Sequence, residues 1–103
     1  MGTRTVIKIK DYGTACLYKH WDGYPEATLA WLEEFNTGFA DGRGNDNTYK
    51  FAQLVRSSVL LAEKYNLDQS KLTGWGVYPA NADVGQEYEY ILYPDGSVKC
   101  NKV

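Results

Sequence analysis

The feature that most constrains the fold is a change of period between residues 18 and 25. Before it, Thr5-Val6-Ile7-Lys8-Ile9-Lys10 and Thr14-Ala15-Cys16-Leu17-Tyr18-Lys19 read as short strands rich in β-branched residues, joined at Asp11-Tyr12-Gly13 into a hairpin. After it, apolar residues recur at helical spacing. Gly23 can take a positive φ in the turn, and Pro25 has the φ of a first helical residue, where its missing N–H costs nothing. A helix is expected from Pro25 to about Phe39, with Glu26 in its first turn and an apolar face of Thr28, Leu32, Phe35 and Phe39 flanked by Leu29 and Trp31.

The Gly- and Asx-rich run from Ala40 to Asn47 reads as an exposed loop carrying Arg43. Because a helix precedes it, it does not fit a phosphate-cradling loop, and no Glu stands where an EF-hand needs one. A second helix, capped by Asn47 or Thr48, is expected to run to about Tyr65. Its predicted stripe is Phe51, Val55, Val59 and Ala62, broadened by Leu54, Leu60 and Leu61. Leu72 to Pro79 reads as a short strand, with Gly74 and Gly76 leaving room beside the Trp75 ring for close packing or a stacked ligand. Glu87 to Tyr93 alternates as a strand, and Pro94-Asp95-Gly96 turns it into a last strand from Ser97 to Asn101.

The predicted order is ββααβββ in a single domain spanning residues 1–103, of the α+β class. Hairpins at both ends and two consecutive helices predict an antiparallel sheet of four or five strands with both helices on one face. The opposite face would be partly solvated unless a second subunit covered it. Aromatic residues make up 15% of the chain, with nine Tyr and three Trp, and such side chains favour half-buried surfaces and interfaces. A homo-oligomer is therefore expected.

Net charge is −2, and no cluster of Lys or Arg is present to neutralise adjacent phosphates, which argues against duplex nucleic acid as a partner. No apolar run approaches the ~20 residues that span a bilayer, and the N-terminal residues lack the pattern of a signal peptide, so no membrane association and a cytoplasmic protein are expected. Cys16 and Cys100, far apart in sequence and each in a strand-like run, read as buried, reduced core residues. With one His they offer no zinc-ligand spacing, and no metal or other cofactor is expected.

Chemistry concentrates in Tyr18-Lys19-His20-Trp21-Asp22-Gly23-Tyr24-Pro25. His is the side-chain type that titrates nearest neutrality, and Asp22 stands close enough in sequence to orient it. A hydrolase would need a nucleophile or metal and an oxyanion partner besides, so no catalytic residue is assigned. A structural account also exists, in which Trp21 closes the core, Asp22 accepts backbone N–H groups at the helix start and His20 ends the strand. The candidate ligand-binding residues are His20, Trp21, Asp22, Tyr24, Arg43, Trp75, Tyr88 and Tyr90. In this reading Trp and Tyr rings stack a base, while Arg43 and the helix terminus at Pro25 receive phosphate.

The string Tyr-x-His-Trp-Asp-Gly-Tyr-Pro followed by a helix resembles a signature of small uncharacterised proteins of phages, prophages and some archaea and bacteria. It covers residues 18–25, with weaker support from Tyr88-Glu89-Tyr90-Ile91-Leu92-Tyr93. The resemblance implies a compact α+β domain of viral or mobile-element origin, acting in the host cytoplasm, and transfers no catalytic residues. The leading expectation is a noncatalytic protein that binds a small polar ligand, with sequestration of a nucleotide immune signal as the form the resemblance implies. The alternative is an interaction module that inhibits a host enzyme through a Tyr-rich surface. A small phosphodiesterase using His20 is the third.

Overall fold

The computed structural model describes residues 4–20, 25–43, 46–64 and 75–103, with the side chains at 27, 40–43 and 61–64 excepted. Its elements are β1 (Thr5–Ile9), β2 (Cys16–Lys19), α1 (Pro25–Arg43), α2 (Asn47–Lys64), β3 (Trp75–Tyr78), β4 (Tyr88–Leu92) and β5 (Val98–Lys102). The order is ββααβββ, and the five strands form one sheet in the spatial order β3-β2-β1-β4-β5.

Each hairpin is antiparallel, but the two are joined by a parallel pair. Ile7 of β1 lies opposite Leu17 of β2 on one side and Tyr90 of β4 on the other, with β1 and β4 running in the same direction. The sheet is therefore mixed, where an all-antiparallel one is expected from the sequence. The reason lies in the connections. α1 and α2 leave β2 and return to β3 at the same end of the sheet, so β3 pairs antiparallel with β2 and runs parallel to β1. Residues 79–87 then cross back over β2 and β1 before β4 begins. Fully extended, they reach at most ~30 Å, enough for this return.

Register divides the side chains between two faces. Thr5, Ile7 and Ile9 share one face with Leu17, Lys19, Trp75, Tyr88, Tyr90, Leu92, Val98 and Cys100. Both helices cover this face: Leu32 of α1 and Leu54 of α2 join Ile7, Ile9, Leu17, Tyr90 and Leu92 in one buried cluster. Complete burial of each such aliphatic side chain contributes roughly 1.5–3 kcal/mol.

The helices bury rows one turn apart. In α1 the row is Thr28, Leu32 and Asn36; in α2 it is Lys50, Leu54 and Ser58. Phe51 and Val55 flank the second row as expected, but Val59 and Leu60 are each 48% exposed, because the row centred on Leu54 turns them away from the sheet. α1 also continues to Arg43 across Gly38 and Gly42, where a loop is expected from Ala40. Helical Gly costs about 1 kcal/mol each, and the stacking of Phe35 on Phe39 with Lys50 over the Phe39 ring anchors these last turns. At the start of α2 the Lys50 N–H donates to the Asp46 carbonyl at 2.9 Å, so the helix begins from Asp46. The Asn47 side chain donates to the Lys10 carbonyl at 3.3 Å instead of capping.

Candidate functional site

On the face away from the helices, β2 contributes Cys16 and Tyr18, β1 contributes Val6 and Lys8, and β3 contributes Gly76 and Tyr78. Val6 and Cys16 are fully buried there without any helix above them. The crossover segment covers this face: the Cys16 thiol donates to the Pro79 carbonyl at 3.6 Å, and the Glu87 N–H donates to the Arg4 carbonyl at 2.9 Å. Gly85, at φ 72°, lies so close to the Arg4 guanidinium that a Cβ there would be 3.1 Å from Nη1. One chain thus supplies much of the cover that the sequence reading assigns to a second subunit.

At the end of this face, beyond β2, the Tyr18 hydroxyl and His20 Nδ1 are 2.6 Å apart. Residues two apart on an extended chain point the same way, which is how the strand brings this pair together. The Tyr78 ring meets Tyr18 edge-on with centroids 5.4 Å apart. Burial pushes the Tyr18 phenol above its ordinary value of 10.0, against the pull of the Arg4 guanidinium. The phenol therefore keeps its proton at neutral pH, and the two groups share one hydrogen bond in which the imidazole tautomer sets the donor.

The expected site residues divide between several places. Trp75 and Tyr88 lie on the helix-covered face, half-buried against the core cluster. The Trp75 ring meets Trp31 edge-on at 5.9 Å and carries the Lys19 ammonium 5.4 Å above it. Its Nε1 is buried and has no hydrogen-bond partner among the described residues, whereas Trp31 Nε1 donates to Ser57 Oγ at 2.8 Å. Tyr90 is fully buried in the core, where desolvation holds its phenol well above the ordinary value, with the neighbouring Cys100 thiol adding to the shift. Arg43 ends α1, and its side chain lies outside the described residues, as do Trp21, Asp22 and Tyr24. Pro25 and Arg43 stand at opposite ends of the helix, ~27 Å apart at 1.5 Å per residue, so one small phosphate does not reach both. The structure thus brings Trp75 and Tyr88 to one face and places His20 at the end of the sheet with Tyr18.

Arg4 and Tyr78 are additions that sequence reasoning does not single out, and Tyr18, although inside the 18–25 stretch, is not among the expected ligand-binding residues. Period-2 alternation was the available signal: it puts Arg4 on the face of Val6, and Tyr18 on the face of His20. Tyr78 needs the β2–β3 pairing, which no local pattern encodes. Cys16 and Cys100 are free thiols on opposite faces of the sheet, and the sheet separates them. Among the described residues no helix is long and apolar enough to cross a membrane. Comparisons of the chain with protein-family models, with curated proteins and with solved structures found no match.

Proposed function

We propose that this protein is a noncatalytic binder of a small anionic, aromatic ligand, with a nucleotide as the chemical class. The binding groups are Arg4, Tyr18, His20 and Tyr78 on the face that the helices leave free. The observation that carries this reading is the 2.6 Å contact between Tyr18 and His20. A general base must reach its substrate's proton directly, and Nδ1 of this imidazole is engaged by the phenol instead. What the pair offers a ligand is a polar edge whose imidazole ring the phenol holds in place. The half-exposed Tyr78 ring supplies an aromatic surface, and the exposed Arg4 supplies a cation. Two free cysteines fit a reducing cytoplasm. The resemblance to phage and prophage proteins supplies one concrete setting, sequestration of a nucleotide signal in an infected host.

The test is a titration with a panel of mono-, di- and cyclic nucleotides, followed by denaturation and chromatography of the released ligand. Intact nucleotide is expected. Altered nucleotide would mean turnover, and no binding at about 1 mM, a ceiling of roughly −4 kcal/mol, would end the proposal. Tyr18→Phe releases His20 Nδ1 and is expected to weaken binding by ~1–3 kcal/mol with little change in melting temperature.

A second reading, an interaction module that inhibits a host enzyme, is favoured by Val59 and Leu60, an apolar pair exposed on α2. Pull-down with immobilised protein and with a Leu60→Glu variant tests it: loss of a captured host protein in the variant alone supports this reading.

A further inference from the structure

We propose that Asp95, in the turn between β4 and β5, is a site of spontaneous isomerisation to isoaspartate, and that Ser97 sets how fast this happens. Asp95 is exposed, and the residue after it is Gly96, so no side chain shields the next backbone nitrogen from the Asp95 carboxyl. In the reaction the Gly96 nitrogen attacks Asp95 Cγ and loses its proton, while a carboxyl oxygen leaves as water. The resulting five-membered imide takes up water at either carbonyl. One opening restores aspartate, and the other leaves the main chain running through the side-chain carbon. Water is the sole co-reactant, and nothing is oxidised or reduced.

Each requirement of the attack meets a hydrogen bond. The carboxyl carbon must turn onto the Gly96 nitrogen, yet Oδ1 accepts from the Ser97 N–H at 2.9 Å and from the Ser97 hydroxyl at 2.6 Å. The carboxyl must be neutral to release water, and the same two bonds hold it below the usual carboxylate range. The nitrogen must surrender its proton, and its N–H donates to the Tyr93 carbonyl at 3.2 Å. The Ser97 hydroxyl makes the shortest of these contacts and is the one that a substitution can remove. The backbone around the turn is also pinned. Asn36 Nδ2 binds the Tyr93 and Ser97 carbonyls at 2.9 and 2.8 Å, and a Cβ on Gly96 would lie 3.6 Å from Thr37. Isoaspartate adds one main-chain carbon between those two carbonyls, so the isomer cannot keep both Asn36 bonds without strain.

The full chain, Ser97→Ala and Ser97→Thr are incubated for weeks at mildly acidic pH, and digests are read by electron-transfer fragmentation, which tells the two isomers apart. Wild type is expected to gain isoaspartate slowly at residue 95. Ser97→Ala, folded by its far-UV spectrum, is expected to gain it at least ~5-fold faster, the order of one lost hydrogen bond. Ser97→Thr keeps the hydroxyl and is expected to match wild type. Asp41-Gly42 is the internal control: the Gly42 nitrogen lies within α1, and this pair is expected to stay unchanged. The isomerised chain, separated by chromatography, is expected to melt below the native one. No isoaspartate at residue 95 in Ser97→Ala, equal rates in Ser97→Ala and wild type, a Ser97→Thr as fast as Ser97→Ala, or faster isomerisation at Asp41 than at Asp95 would each overturn the assignment.

Discussion

At the scale of single residues, the least expected feature is a polar latch beneath the turn between β4 and β5. Asn36, fully buried in α1, donates from Nδ2 to the Tyr93 carbonyl at 2.9 Å and to the Ser97 carbonyl at 2.8 Å. Lys50, buried in α2, reaches the same Tyr93 carbonyl at 3.4 Å. The turn adds its own bonds, Tyr93 N–H to the Ser97 carbonyl and Ser97 to the Asp95 carboxylate, and the latter hold Asp95 below the usual carboxylate range. Asn36→Ala should cost ~1–3 kcal/mol in chemical denaturation, since it opens a cavity and removes two buried hydrogen bonds. Lys50 should behave differently. Desolvation lowers its pKa from the ordinary 10.5, with Asp95 opposing the shift. Below the folded-state value both states carry the proton and the burial penalty is fully present. Between that value and 10.5 the unfolded chain holds more protons, so stability gains with rising pH. Lys50→Met is therefore expected to be more stable than wild type by ~1–2 kcal/mol at neutral pH, with the gap narrowing in alkali. Denaturant midpoints at both pH values check this, and a gap that widens in alkali would contradict it.

At the scale of elements, the crossover at residues 79–87 decides how the sheet closes. It has no regular structure, yet its Pro79 carbonyl accepts from the Cys16 thiol and its Glu87 N–H donates to the carbonyl of Arg4, the residue before β1. Its narrowest point is Gly85, which combines a left-handed φ with the close approach of the Arg4 guanidinium. Gly85→Ala is expected to destabilise by ~1 kcal/mol or more, because a Cβ is strained at this φ. Gly13→Ala, at a site with no heavy atom within 4 Å of the added Cβ, is the control and should change stability little. Equal melting temperatures for the two variants would show that the crossover does not constrain the sheet. α2 teaches the complementary lesson. Val59 looks like a core residue because it continues the Phe51–Val55 spacing, but docking through Lys50, Leu54 and Ser58 leaves it in solvent.

At the scale of the whole molecule, the centre of the sheet joins residues remote in sequence: Thr5 faces Tyr88 and Ile9 faces Leu92 in the parallel pair. Closing that pair spans both helices and the crossover. Closure entropy must be lost before its contacts form, which slows folding. Refolding by stopped flow is expected as a single phase at about 1–1,000 s⁻¹, slower than for helical bundles of this size. Completion within microseconds would mean that local hairpins, not the β1–β4 pair, govern the barrier.

Local signals determined the inventory of elements. Pro25 opens α1, Asp95-Gly96 turns β4 into β5, and alternation in Tyr88 to Leu92 sorts tyrosines from Glu89 and Ile91, all by interactions within a few residues. The sequence likewise indicated buried, reduced cysteines and pointed to His20 at the end of a strand, whereas only the register places Cys16 and Cys100 on opposite faces. It did not reveal that β1 and β4 run parallel, because that depends on which end of the sheet the helix pair returns to and to which end the crossover then carries the chain. Nor did it reveal that Tyr90 faces the core while Tyr18 lies on the opposite face: both are tyrosines in alternating strands, and only strand register assigns each to a face. Asn36 and Lys50 were illegible for the same reason. A polar residue on a helix is ordinarily solvated, and only the carbonyls of a turn more than forty residues away make these two acceptable inside.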